Sequence, residues 1–115
     1  MPVSGIEYLR HILDEAVYIS GKAEGLSKEE FMKDETVRRA FVRSIEVIGE
    51  ATKKVPAGFR QKYMTVEWKV MAGMRDRLIH DYFGIDYDLV WDVVTTKIPS
   101  LKQEIEKIIQ DEGST

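Results

Sequence analysis

The sequence predicts an all-α fold, an antiparallel up-and-down bundle of four main helices joined by short helical turns and assembled as a homodimer. Three observations predict the helices. Apolar residues recur at steps of three and four along most of the chain. There are only three prolines, so few breaks are forced on it. No segment alternates apolar and polar residues for long enough to make a strand.

The first helix is expected from Gly5 to Ser20, where Ile6, Leu9, Leu13, Ala16 and Ile19 fall on one stripe. Gly21 and Gly25 are expected to end it. Ser27-Lys-Glu-Glu30 has the form of a capping box opening a short helical turn. Asp34 is the expected N-cap of a second helix running to about Lys54, with Val37, Phe41, Ile45 and Ile48 inward. Pro56 and Gly58 mark a connection, followed by a short piece with Phe59 and Tyr63. Thr65 is the candidate cap of a third helix from Val66 to Phe83, closed by Gly84 in a left-handed conformation. Asp86 then caps a fourth helix, from Tyr87 to about Gln110. Its residues Val94, Ile98, Leu101, Ile105 and Ile108 alternate steps of four and three, and Pro99 inside this run predicts a kink. Trp68, Trp91 and the fourth helix together carry more apolar surface than one small bundle is expected to bury, hence the expected homodimer.

The 115 residues fit one domain over 1–115. With 43% hydrophobic and 32% charged residues the balance is that of a folded globular chain. The absence of cysteine excludes disulfides, thiolate metal sites and a cysteine nucleophile. No apolar run approaches the roughly 18 residues of a membrane span, and the first residues do not read as a secretory signal. A cytoplasmic location is expected. The net charge of −3 argues against general nucleic-acid packaging, so any action on RNA needs a local basic patch or a site assembled from two subunits. Lys53, Lys54, Arg60 and Lys62 are candidates for such a patch, or an ordinary solvated surface.

Two histidines are present. His11 lies beside the first apolar stripe, has no constellation around it, and is expected to be structural or surface-exposed. His80 lies in Arg75-Asp-Arg-Leu-Ile-His80-Asp-Tyr82. At about 100° per residue, Tyr82 on a continuous helix returns to within ~20° of Arg75, while His80 lies ~140° away. Asp76 and His80 share a neighbouring face. Arg75 and His80 on one helix therefore do not face each other squarely, and a second copy across a two-fold axis would bring both into one cleft. The residue types suit phosphodiester cleavage. Histidine serves as acid or base near neutral pH, and arginine forks onto phosphate oxygens and stabilises added negative charge. Asp76 is the candidate support for either. The same residues also suit a solvated helix face, with Arg77 and Asp81 as a surface ion pair. Tyr82 continues the Met71, Met74, Leu78 stripe and reads equally as a packing aromatic. Asp76 and His80 offer two metal ligands, with nothing nearby to complete a set, so neither a metal nor another cofactor is expected.

Ile48-Gly-Glu-Ala51, Pro56-x-x-Phe59-Arg-x-Lys-Tyr63, Trp68-x-x-Met71-Ala-Gly-Met74-Arg75 on through His80-Asp-Tyr82-Phe-Gly84-Ile-Asp86, and Val90-Trp-Asp92 occur in that order. This series resembles the HepT family of the HEPN superfamily over nearly the whole chain. The resemblance implies a helical bundle that dimerises with its motif helices near the two-fold axis. It also implies a metal-independent ribonuclease that is the toxin of a type VII toxin–antitoxin pair. The family motif is Arg, four to six residues, His, any residue, Tyr. Arg75 and His80 match its catalytic positions, and Tyr82 matches the tyrosine to which a minimal nucleotidyltransferase antitoxin transfers AMP from ATP. Asparagine commonly follows the arginine, and Asp76 departs from that by placing a charge beside Arg75. Two other readings stay open: a non-catalytic nucleotide- or substrate-binding partner of a nucleotidyltransferase, which sits more easily with the charge of −3, and a purely structural interaction protein.

Overall fold

The computed structural model describes residues 5–80 and 84–113. The described chain is helical apart from one two-residue ladder. Helix α1 spans Gly5–Ala23, α2 Lys28–Lys33, α3 Glu35–Lys54, α4 Ala57–Lys62 and α5 Trp68–Leu78. Strands β1 (Ile79–His80) and β2 (Gly84–Ile85) follow, then α6 (Tyr87–Asp92), a π-helical turn (Val93–Lys97) and α7 (Ile98–Gly113).

The caps expected from local chemistry form. Ser27 and Glu30 close a reciprocal capping box at 2.9 and 3.0 Å. Asp34 accepts from the Val37 amide and Asp86 from the Leu89 amide, each at 3.1 Å, so three helix starts are satisfied by their own side chains. Helix α1 runs through Gly21, which does not end it; the chain turns at Gly25, whose φ is +78°. Its buried face is Leu9, Ile12, Ala16 and Ile19, with Ile6 and Leu13 half-buried at the margins. Helix α5 starts at Trp68, not Val66: Thr65 lies in the preceding turn, and the first α-type bond runs from the Met71 amide to the Glu67 carbonyl.

Helix α1 packs on α3 and α7, and α3 packs on α5. Phe41, Ile45, Ile48, Met74, Leu78, Val90, Val94, Ile98 and Ile105 fill the space between them. Gly49 of α3 faces α5, and a Cβ there would stand in ordinary contact, 3.5 Å from the Met71 carbonyl oxygen. Both tryptophans are accommodated within the chain. Trp68 is buried and donates its indole N–H to the Tyr63 carbonyl at 2.9 Å. Half-buried Trp91 lies against Phe31 with ring centroids 5.2 Å apart. They are therefore not the unpartnered surface expected of them.

The kink expected at Pro99 takes the form of the π-helical turn just before it, where the Ile98 amide donates to the Val93 carbonyl five residues back. Proline cannot donate to the carbonyl four residues earlier and its ring crowds it, and a widened turn relieves both. Thr95 and Thr96 donate their hydroxyls to carbonyls of Trp91 and Asp92 in the same stretch. Among the described residues no helix is long and apolar enough to cross a membrane.

Candidate active site

Helix α5 delivers Arg75 and Asp76 near its C-terminal end. A cation in the last turn is favoured there by the helix dipole, and both Arg75 and Arg77 take such positions. The buried residues Trp68, Met71, Met74 and Leu78 hold the opposite face of α5 in the core, which leaves Arg75 and Asp76 outward. Their side chains are 46% and 71% exposed.

Arg75 is held between two carboxylates. Asp76 Oδ1 is 3.4 Å from Arg75 Nη1. Glu46 Oε2, from α3, is 3.7 Å from Arg75 Nε, and the Glu46 side chain is 28% exposed. Exposed pairs at such distances stabilise a fold by about 0–1 kcal/mol. They orient the guanidinium rather than hold the helices together. Glu46 is the residue that sequence reasoning missed. Its partner lies 29 positions away, and helical periodicity carries no signal for such a pair.

The motif does not run along one helix. The Val66–Phe83 expectation is corrected: α5 ends at Leu78, and Ile79 and His80 form β1, paired antiparallel with Ile85 and Gly84. The Asp86 amide donates to the Leu78 carbonyl at 2.9 Å and closes the base of this hairpin. Gly84 has the expected positive φ, +84°, but uses it in β2 rather than to cap a helix. The angular relations drawn for a continuous helix, including the shared face of Asp76 and His80, therefore do not describe this segment. The ladder places the main chain of His80 two residues beyond α5. Tyr82 and the Asp81 of the expected pair with Arg77 lie outside the described residues. His11 is exposed on α1.

Most of the candidate basic patch is committed elsewhere. Arg60 donates to the carbonyls of Thr52, Lys53 and Val55 at 2.7, 2.8 and 3.1 Å and so caps the end of α3. Lys62 bonds Glu112 at 2.8 Å and Lys53 lies 3.5 Å from Glu50. Only Lys54 of the four has neither a carboxylate nor a carbonyl partner for its side chain among the described residues. Arg43, exposed on α3 one turn before Glu46, also has none among them. Helices α3 and α5 run in opposite directions here, since Gly49 faces Met71 and Glu46 faces Arg75. That register sets Arg43 level with Leu78 and the start of β1.

A cavity of about 260 Å³ between α5 and α7 is lined by Glu67, Met71, Thr96, Lys97, Ser100 and Leu101, and neither Arg75 nor Asp76 borders it. The arginine thus stands on open surface. Among the described residues no three His, Asp or Glu side chains converge to hold a metal ion.

The family model described as "Ribonuclease HepT-like" matches residues 6–108. The chain is 48% identical over 105 residues to "Putative RNase TTE0752" of Caldanaerobacter subterraneus, covering 91% of this chain and 94% of that one. It is 45% identical over 112 residues to "Putative RNase MJ1216" of Methanocaldococcus jannaschii, covering 96% and 93%. To "Probable ribonuclease HepT" of Thermococcus cleftensis it is 38% identical over 102 residues, covering 89% and 93%. No solved structure matches the chain. With the family pattern spanning nearly every described helix, and with Arg75 and His80 at the junction of α5 and its hairpin, the chain belongs to the HepT-like ribonuclease family.

Proposed function

We propose that the chain is a metal-independent endoribonuclease that acts as the toxin of a type VII toxin–antitoxin pair. The observation that carries the reading is Arg75: an exposed guanidinium, oriented by two carboxylates through weak contacts, three residues before the end of a helix whose continuation carries His80. Phosphate binds such a group bidentately and displaces a loose carboxylate from the edge it takes at little cost. In this reading Arg75 receives the scissile phosphate and stabilises its added charge, His80 transfers a proton, and Asp76 keeps Arg75 turned toward the substrate.

The site is completed by a second copy of the chain. Its support is the open position of Arg75, which does not border the cavity between α5 and α7 and needs a facing wall to exclude water. Tyr82 is the residue on which a minimal nucleotidyltransferase, acting as antitoxin, places AMP from ATP. In this reading the AMP phosphate competes with the substrate's own phosphate for Arg75. RNA, with tRNA among the candidates, is the substrate, and the reaction is cytoplasmic.

The test is intact-mass measurement of the purified protein before and after exposure to the nucleotidyltransferase and ATP, followed by RNA cleavage assays on both forms. The expected result is a gain of one AMP that is lost in Tyr82→Phe, with cleavage by the unmodified form only. An unmodified, AMP-free protein that binds nucleotide and leaves RNA intact would support the binding-partner reading instead.

A further inference from the structure

We propose that Glu46 is the general base of RNA cleavage, an inference that rests on the ribonuclease reading above. Attack of a 2′-hydroxyl on the neighbouring phosphate needs two proton carriers, one to take the hydroxyl proton and one to protonate the departing 5′-oxygen. Arg75 can be neither, because a guanidinium does not give up its charge. His80 supplies one. The second must be a group beside the phosphate that Arg75 holds.

Two carboxylates stand there and they are not equivalent. Asp76 lies on the same helix as Arg75, is 71% exposed, and sits 3.4 Å from Nη1, on the edge of the guanidinium that a phosphate would occupy. An incoming phosphate displaces it. Glu46 comes from α3, is 28% exposed, and approaches Nε from the side at 3.7 Å. That distance is beyond a formed hydrogen bond. The Glu46 carboxylate has no other polar partner among the described residues, so its lone pairs are open to a proton. A phosphodiester seated on the Nη edge of Arg75 brings its 2′-hydroxyl within reach of Glu46, directly or through one water. The proton of the 2′-hydroxyl passes to Glu46 as the 2′-oxygen bonds to phosphorus. The bond from phosphorus to the 5′-oxygen breaks, and that oxygen takes a proton from His80. The products are a 2′,3′-cyclic phosphate and a free 5′-hydroxyl, with one proton gained by Glu46 and one lost by His80.

The experiment compares cleavage of total tRNA at neutral pH by wild type, Glu46→Gln, Glu46→Ala and Arg75→Ala, with and without added sodium formate. Glu46→Gln keeps an oxygen facing Arg75 and removes the proton acceptor. It is expected to lower kcat by about 10²- to 10⁴-fold with KM little changed. Formate is an anion at this pH, able to take a proton and not to give one. It is expected to restore part of the activity of Glu46→Ala and none of Arg75→Ala. Wild-type rates in Glu46→Gln would overturn the inference and leave the ribonuclease reading standing. A slow Glu46→Gln with no rescue of Glu46→Ala by formate would also overturn it, reducing Glu46 to a residue that positions Arg75. Absence of cleavage by the wild type would remove the ribonuclease reading, and the inference with it.

Discussion

Gly49 on α3 faces the carbonyl oxygen of Met71 on α5, and a Cβ there would stand 3.5 Å from it, an ordinary contact. One helical turn further along each helix the same contact line brings Glu46 to Arg75. Gly49→Ala is therefore expected to fit and to raise stability by roughly 0.5–1 kcal/mol, because alanine gives up less backbone freedom in a helix. Gly49→Val is expected to push α5 away, lower stability by about 1–3 kcal/mol, and slow RNA cleavage by moving Arg75 relative to Glu46. Urea midpoints at unchanged slope, with cleavage rates on the same samples, measure both.

Lys62 and Tyr63 both donate to Glu112, at 2.8 and 2.7 Å, and tie α4 to the end of α7. The bond from Lys62 and then that from Tyr63 hold the Glu112 carboxyl below its usual range. The unfolded chain thus protonates at Glu112 at higher pH than the folded one. The contribution is whole above the ordinary carboxylate range and is lost as pH falls through the folded value. The stability advantage of wild type over Glu112→Gln, read from thermal melts, is expected at neutral pH and to shrink steadily on acidification. A difference that does not vary with pH would contradict it.

Arg43 has no carboxylate partner among the described residues and lies level with the start of β1. If it meets an RNA phosphate beyond the one on Arg75, Arg43→Ala raises KM at low salt while leaving kcat near wild type. It also reduces the slope of log KM against log salt by about 0.7, the value for one lost contact to a single strand. A salt titration of cleavage kinetics checks this, and Lys54→Ala, a cation outside this register, serves as the control with no change in slope.

The parts of this molecule that were legible in its sequence are those decided within a few residues. The capping residues Ser27, Asp34 and Asp86 need only a neighbour three positions on, and each forms its bond. Pro99 announces a defect because the missing N–H is a property of that residue alone. The end of α5 was not legible. Met71, Met74, Leu78 and Tyr82 keep helical spacing past the point where the chain leaves the helix. What ends it is a tertiary choice: Gly84 at φ +84° and the bond from the Asp86 amide to the Leu78 carbonyl. Arg60 read as one cation among four, and its role as a cap for α3 depends on α4 folding back. Arg75 and Asp76 were found because their chemistry is adjacent in sequence, and Glu46 was not, because it meets them only through the packing of α3 on α5.

The central claim is that Arg75 and His80 make this chain a ribonuclease. The measurement that tests it most directly is RNA cleavage by purified wild type and His80→Ala in the presence of EDTA, both shown to be folded and of the same oligomeric state. The account predicts cleavage by the wild type that EDTA leaves intact and a loss of about 10²-fold or more in His80→Ala. Equal cleavage by the two proteins, or cleavage abolished by EDTA in the wild type, would contradict it.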